Sequence, residues 1–453
     1  MKKRIHLDLS TTQTIMLSFL LVIIAGSLLL TLPISSANGE AVPYIDALFT
    51  ATTATCVTGL VTVPTVSTWS FFGQVVVLVL IQVGGLGVVT IVTRFALGLH
   101  RKMGIGDSML IQDAFNLNTM SGLKEFVKKV IKGTFIVEGI GALLYLPVFI
   151  PEYGVKGIWI SVFNSISAFC NAGIDIIAED SLCRYVHNPL VNLVTCALIV
   201  MGGIGYIVWW DVIQALKKAR QQRWKCFRFL TFHSKIALSA TAVLIVGGTL
   251  LTFIFEYNNP LTIGNFTIGQ KLLASLFQSV TTRTAGFFTV PQQNLTNASA
   301  LISILLMFIG GSPVGTAGGI KSVTIAVLLV SAFATIQNKN EATLFSRAIS
   351  KQAVSKAVAV ISMSFIIVFT STVLLSVVTD ASALDILYET VSANATVGLT
   401  RNLTSFLNTE GKLIVIITMY LGRVGAISLA TVFNARKEVP NIIKNPMEKI
   451  SVG

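Results

Sequence analysis

The sequence predicts an all-α polytopic membrane protein: four tandem membrane helix–pore loop–membrane helix units in pseudo-four-fold arrangement around a central pore. Three observations carry this. Apolar runs of about 18 residues or more, long enough to cross a bilayer as a helix, recur from end to end of the chain. Four short segments with one glycine each, at Gly59, Gly173, Gly286 and Gly398, recur at intervals of 114, 113 and 112 residues, and an aromatic residue (Phe49, Phe163, Phe277, Tyr388) precedes each glycine by nine or ten positions. A fixed period with one local pattern is an internal repeat. Finally, the basic residues gather in alternate loops, as they do in proteins threaded through a membrane.

The first unit, residues 1–108, opens with an apolar run at Ile15–Leu32 behind Lys2-Lys3-Arg4. That run is long for a signal peptide and no small-residue cleavage pattern closes it, so it is read as a retained helix. A half-helix over Tyr44–Thr55 follows, too short to span, then the Gly59 segment and a long helix over about Phe71–Leu97. The second unit, 109–225, repeats the plan with Val130–Ile150, Gly157–Phe169, the Gly173 segment and Val191–Trp210. The third, 226–345, has Ile236–Phe255, Lys271–Thr282, the Gly286 segment and Leu301–Phe333, the last interrupted in its middle. The fourth, 346–434, has Ala357–Val378, Ser382–Ala393, the Gly398 segment and Leu413–Phe433, and a basic tail occupies 435–453.

Composition excludes several function classes. The chain is 53% hydrophobic and only 12% charged, with mean hydropathy +0.78, which is too apolar for a soluble enzyme. Its net charge of +13 would suit a nucleic-acid binder, but 25 of the 33 Lys and Arg lie at the N-terminus, in the three inter-unit linkers and the helix ends that adjoin them, and in the tail. Five (Lys156, Arg184, Lys271, Arg401, Lys412) lie in the opposite loops, and Arg283, Lys321 and Arg423 lie at membrane depth. The charge therefore reports topology and contact with membrane lipids, with both termini cytoplasmic and no nucleic acid bound. Five cysteines show no pairing pattern and four histidines no metal-ligand spacing. A membrane-embedded enzyme needs a convergent His, Glu or Asp cluster at membrane depth, and the sequence has none.

Non-helical backbone cannot face lipid, because its unpaired N–H and C=O groups cost several kcal/mol each. Four such segments must face one another or water, and a ring of them makes a pore. Carbonyl rings replace the hydration shell of a monovalent cation. The filter is assigned to Val57-Thr58-Gly59, Asn171-Ala172-Gly173, Thr284-Ala285-Gly286 and Thr396-Val397-Gly398. One glycine per copy implies few ordered ion sites. Asp175, just past the second segment, either concentrates cations at the mouth or is a solvated loop acid. Asp46, Asp385 and Glu389 suit the positive ends of the half-helices.

The later helices carry glycine pairs, Gly84-Gly85, Gly202-Gly203 and Gly310-Gly311, read in the first two copies as close packing. The third runs on through Ser312-Pro313-Val314-Gly315-Thr316-Ala317-Gly318-Gly319 to Lys321, and five glycines and a proline in ten residues exclude a regular helix. Gly310, Gly311, Ser312, Pro313, Gly315, Thr316, Gly318, Gly319 and Lys321 are therefore assigned to a gate lining the cavity beneath the filter. Gly319-Ile320-Lys321-Ser322 lacks the spacing of a phosphate loop. In the fourth copy Gly422 is followed by Arg423, a charge that must face the cavity or a partner. It is either an electrostatic barrier to cations, an anchor on the loop carbonyls, or half of a packing salt bridge. Arg283 and Glu138 are read as structural partners rather than ion ligands.

Together, the four units, the single filter glycines, the Gly-Gly-Ser-Pro…Gly-Gly-Ile-Lys loop and the Gly-Arg pair resemble the Trk/Ktr/HKT superfamily of potassium transporters. The likeness covers essentially the whole chain, and its length and eight-helix plan are most similar to the membrane subunit of bacterial Ktr systems. The resemblance implies potassium uptake at the bacterial cytoplasmic membrane, sodium as a second ion and no organic cofactor on this chain. It also implies a homodimer with one pore per protomer and a cytosolic RCK-type regulatory ring that binds ATP or ADP. A weakly selective sodium/potassium or ammonium pathway is the alternative.

Overall fold

The computed structural model describes residues 11–87, 123–221, 226–339 and 341–425. The expected stretches beyond Gly87 towards Leu97, beyond Gly425 towards Phe433, the basic tail and parts of the first two linkers lie outside these residues.

Four long helices carry the membrane span: α1 (Thr11–Thr31), α4 (Leu123–Tyr153), α8 (Phe232–Glu256) and α12 (Lys351–Val378). Only 22–28% of the apolar window of each is buried within the protein, so most of their Leu, Ile, Val and Phe side chains face outward. Leu21, Leu143, Val243 and Phe365 are exposed examples. That is the arrangement of a chain whose solvent is hydrocarbon. Each long helix is followed by a short half-helix: α2 (Tyr44–Cys56), α5 (Lys156–Cys170), α9 (Ile268–Thr281) and α13 (Ala383–Ala395). These are the reverse case, polar yet buried. From Phe49 to Cys56 every residue of α2 is enclosed, four threonines among them. The expected half-helix limits agree with these to within one to three residues.

After each half-helix comes a shorter apolar helix: α3 (Phe71–Leu86), α6 (Pro189–Gly203), α10 (Asn297–Phe308) and α14 (Thr409–Val424). Their starts are set by side-chain caps. Ser70, Asn188, Thr296 and Asn408 each accept a backbone N–H of the first turn. Their ends are set by glycine: Gly87, Gly205 and Gly425 follow α3, α6 and α14 with φ of 83°, 93° and 92°, values that other residues rarely adopt.

This corrects the expectation of one continuous helix over Val191–Trp210. The chain turns by 101° between Pro189–Gly203 and the helix α7 (Tyr206–Gln221). The expected interruption in the third unit is present, as α10 stops at Phe308 and α11 (Ser322–Ile336) begins after it. In the following linker, β1 (Thr343–Leu344) and β2 (Arg347–Ala348) form an antiparallel hairpin that sequence reasoning missed. Its turn residues Phe345 and Ser346 have φ of 48° and 60° without being glycine, and the Phe345 ring meets Phe227 at 5.7 Å.

Candidate functional site

The four filter segments meet. A Cβ built on Gly59 would lie 2.5 Å from the Ala172 carbonyl, on Gly173 2.5 Å from that of Ala285, on Gly286 2.6 Å from that of Val397, and on Gly398 2.2 Å from that of Thr58. Each glycine thus abuts the carbonyl preceding the next copy's glycine, and the series closes on itself in the order first, second, third, fourth. All four glycines have positive φ, from 64° to 97°. Two residues earlier, Val57, Asn171, Thr284 and Thr396 are left-handed as well, at 57°, 60°, 69° and 52°. A left-handed non-glycine residue costs about 1–2 kcal/mol, so four of them at equivalent positions are held there by their surroundings. The Oγ1 atoms of Thr58, Thr284 and Thr396 are buried with no hydrogen-bond partner. Polar atoms left over beside a ring of carbonyls suit a cation shedding its water. The half-helices end at the filter, so their C-terminal ends, each carrying about half a negative charge, converge on it.

The glycine pairs pack as expected where the helix is regular. A Cβ on Gly84, Gly202 or Gly422 would lie about 2 Å from the carbonyl of Thr55, Phe169 or Asn394, at the end of the same copy's half-helix. In the third copy that contact is replaced, since Gly310 abuts the Gly318 carbonyl of its own loop.

The loop from Ile309 to Lys321 is folded back and tied on several sides. Its neck is closed by Gly310 N–H to the Ile320 carbonyl at 2.9 Å, Ser322 N–H to the Gly311 carbonyl at 2.9 Å, and the Ser312 and Ser322 hydroxyls at 3.1 Å. Towards the second copy, Ser312 and Thr316 N–H groups donate to the Gly203 and Gly202 carbonyls at 2.8 and 3.1 Å. In return Tyr206 N–H donates to the Val314 carbonyl at 3.0 Å, and the Thr316 hydroxyl donates to the Phe169 carbonyl at 3.0 Å. These groups include the carbonyls freed where α6 breaks. Towards the fourth copy, Gly318 lies so close to the Thr396 side chain that a Cβ would overlap it. The second and fourth copies flank the third in the ring, and the loop meets both where their half-helices end, at Phe169, Ala395 and Thr396, so it lies directly below the glycine segments.

Two cations hold this loop. Arg423 donates through Nη1 to the Thr316 carbonyl at 2.9 Å and through Nη2 to the Gly84 carbonyl. Lys321 Nζ donates to the Ala317 carbonyl at 2.6 Å. Among the described residues no carboxylate is in ion-pair contact with either. Of the roles considered for Arg423, the geometry is that of the anchor.

Other expectations are corrected. Glu138 and Arg283 occupy separate places in the fold. The Glu138 carboxyl accepts from Gln82 Nε2 at 3.3 Å and lies 3.8 Å from the Cys170 thiol, whereas Arg283 is 6% exposed and its Nε has no acceptor. Asp175 is not a solvated loop acid: it is 9% exposed and accepts the Ile177 N–H at 3.3 Å. Asp46 and Asp385 do more than face helix dipoles. Asp46 pairs with Lys412 of the fourth copy at 2.6 Å and Asp385 with Arg401 at 2.6 Å. Arg401 also donates to the Gln292 and Leu295 carbonyls of the third copy. Glu389 is fully buried and accepts the hydroxyls of Thr400 at 2.6 Å and Thr404 at 2.5 Å. The ties between copies, from Arg401 to Gln292 and Leu295 and from Lys412 to Asp46, were invisible as pairs in the sequence, because their members stand 106 to 366 positions apart.

Comparison with known proteins agrees with this geometry. The family model described as TrkH, cation transport protein, matches residues 2–444. The chain is 38% identical over its full length to the potassium/sodium uptake protein NtpJ of Enterococcus hirae, covering 99% of that protein. It is 40% identical, over 97% of its length and 96% of the relative, to the Ktr system potassium uptake protein B of Bacillus subtilis. Its fold is similar to the crystal structure of the potassium transporter TrkH from Vibrio parahaemolyticus, with TM-score 0.76, 16% identity, and coverage of 95% of this chain and 86% of that one. A ring of four glycine segments, a loop folded beneath it and a full-length match to the family model place the chain in the TrkH family of cation transport proteins.

Proposed function

We propose that this protein is the ion-translocating subunit of a Ktr-type system, taking up potassium across the cytoplasmic membrane down its electrochemical gradient. The observation that carries the reading is the closed ring of four glycines, each against the preceding carbonyl of the next copy. In this reading Val57 to Gly59, Asn171 to Gly173, Thr284 to Gly286 and Thr396 to Gly398 form the selectivity filter, with K⁺ at their backbone carbonyls. The loop from Gly310 to Lys321, held by Arg423, is the gate, drawn closed. Residues 1–108, 109–225, 226–345 and 346–434 are the four units. The names of the relatives from Enterococcus hirae and Bacillus subtilis support potassium, and the former also supports sodium. A homodimer, cytoplasmic termini and a cytosolic RCK-type nucleotide-binding ring complete the proposal, and no covalent chemistry is part of it.

The test is growth of a potassium-uptake-deficient bacterium on limiting potassium, with ⁸⁶Rb⁺ and ²²Na⁺ uptake measured alongside. The chain is supplied with a regulator subunit, as wild type and as Gly286→Ser. The serine Cβ would meet the Val397 carbonyl at 2.6 Å on a backbone with φ of 85°. Rescue by the wild type, with preference for Rb⁺ over Na⁺ lost in the variant, is expected. Equal preference in both would remove Gly286 from the ion path. Equal uptake of the two ions by the wild type would favour the weakly selective pathway.

A further inference from the structure

Resting on the filter reading above, we infer that four half-helix hydroxyls, Thr53, Ser167, Thr281 and Ser392, are positioning residues that set the ion preference. They do so by fixing which carbonyls face the pore.

Each hydroxyl stands four residues, one helical turn, after its copy's buried aromatic: Phe49, Phe163, Phe277 or Tyr388. The spacing from hydroxyl to filter glycine is six residues in the first, second and fourth copies and five in the third. The third filter is thus one residue shorter, which explains why the aromatic-to-glycine interval is nine there and ten elsewhere. All four hydroxyl residues are fully buried. Each also accepts, through its main-chain carbonyl, the N–H of the residue before the glycine. The donors are Thr58, Ala172, Ala285 and Val397, at 2.8, 2.8, 2.9 and 2.8 Å.

The side chains then act in different ways. Thr53 Oγ1 accepts the Gly59 N–H at 2.9 Å, and Ser392 Oγ accepts the Gly398 N–H at 3.0 Å. A trans peptide points its N–H and C=O in opposite directions. Holding those two amides back on the half-helix therefore turns the Thr58 and Val397 carbonyls forward, to the ring. Ser167 Oγ instead accepts the N–H of Ile174, one residue past the glycine, at 3.2 Å, and donates to the Ile174 carbonyl at 2.5 Å. Thr281 donates to the Phe287 carbonyl, also one residue past the glycine, at 2.5 Å. Two of the four carbonyls at that outer level are thus engaged by hydroxyls behind the filter. A complete four-carbonyl ring is not offered there. The filter is four-fold in sequence and paired in its supports, first with fourth and second with third.

The experiment uses the full-length chain with a regulator subunit and reads the ⁸⁶Rb⁺/²²Na⁺ uptake ratio, with thermal midpoint and elution volume as checks of folding. Ser392→Ala, Thr281→Val and Thr53→Val remove the hydroxyl, Ser392→Thr, Thr281→Ser and Thr53→Ser keep it, and Gly59→Ser reports on the filter itself. The hydroxyl-deleted variants should lose about tenfold in the ratio, the size of one hydrogen bond. The hydroxyl-retaining ones should keep it. Ser392→Ala deletes a single oxygen atom, so it keeps the test open where a valine does not fold. An unchanged ratio in folded Ser392→Ala and Thr281→Val, with the ratio lost in Gly59→Ser, would overturn the inference and leave the filter standing. An unchanged ratio in Gly59→Ser as well would overturn the filter reading beneath it.

Discussion

At the scale of single residues, Arg423 carries the sharpest consequence. Its guanidinium joins a carbonyl of the broken-helix loop, Thr316, to a carbonyl of a regular helix, Gly84. A hydrogen bond to a charged group contributes about 1.5–3 kcal/mol. Arg423→Gln should therefore weaken the closed loop and raise ⁸⁶Rb⁺ uptake by about tenfold or more in the absence of the regulator. Lower uptake with intact folding would instead give the arginine a role in conduction. The sequence revealed that this charge lies at membrane depth and needs a partner. It could not reveal the partners, which are backbone carbonyls with no signature in residue type.

At the scale of elements, the loop between α10 and α11 depends on glycines where it meets other copies. Gly318→Val places a branched side chain against Thr396 Oγ1 and the Ala395 carbonyl, the latter 2.9 Å from the new Cβ. The loop must move off the fourth copy, and uptake without the regulator should rise several-fold in the same flux assay. The half-helices are held from outside by ion pairs. Asp46 and Lys412 are each largely buried, with side chains 10% and 16% exposed. Removing one partner of such a pair strands the other, at a cost of about 3 kcal/mol. Asp46→Asn and Lys412→Met should each lower the thermal midpoint of the solubilised protein, and the double variant should fall by less than their sum. Strict additivity would mean that the pair is not coupled. The acids were legible in the sequence as first-turn residues of α2 and α13, but their bases sit beyond the filter and could not be matched by spacing.

At the scale of the whole molecule, the proposed function puts one ion site between four copies, so occupancy of that site should stabilise all four together. A cation held only by the folded protein adds RT ln(1 + [L]/Kd), about 2.7 kcal/mol at a hundredfold excess over Kd. The thermal midpoint of the solubilised protein should rise with KCl over choline chloride at equal ionic strength, and less with NaCl. Identical midpoints in all three salts would argue against a cation site in the ring. The long helices α1, α4, α8 and α12 form the lipid-facing wall, and the polar half-helices are enclosed by it, where hydroxyls such as those of Thr53, Ser167, Thr281 and Ser392 bind the backbone at the four glycine segments.

The membrane class, the fourfold repeat, the half-helix limits and the positions of the four glycine segments and the broken helix were decided by the sequence alone. Hydrophobic length, glycine periodicity and proline content are local properties, and local properties are written in residue order. The tertiary structure decided the sharp turn at Gly205, the loop's path from the third copy to the second and fourth, the anchoring of Arg423, and the separation of Glu138 from Arg283. It also decided which peptide planes the half-helix hydroxyls hold. Each of these rests on a hydrogen bond or close approach between distant segments, made with main-chain groups that every residue carries, so residue identity does not encode it.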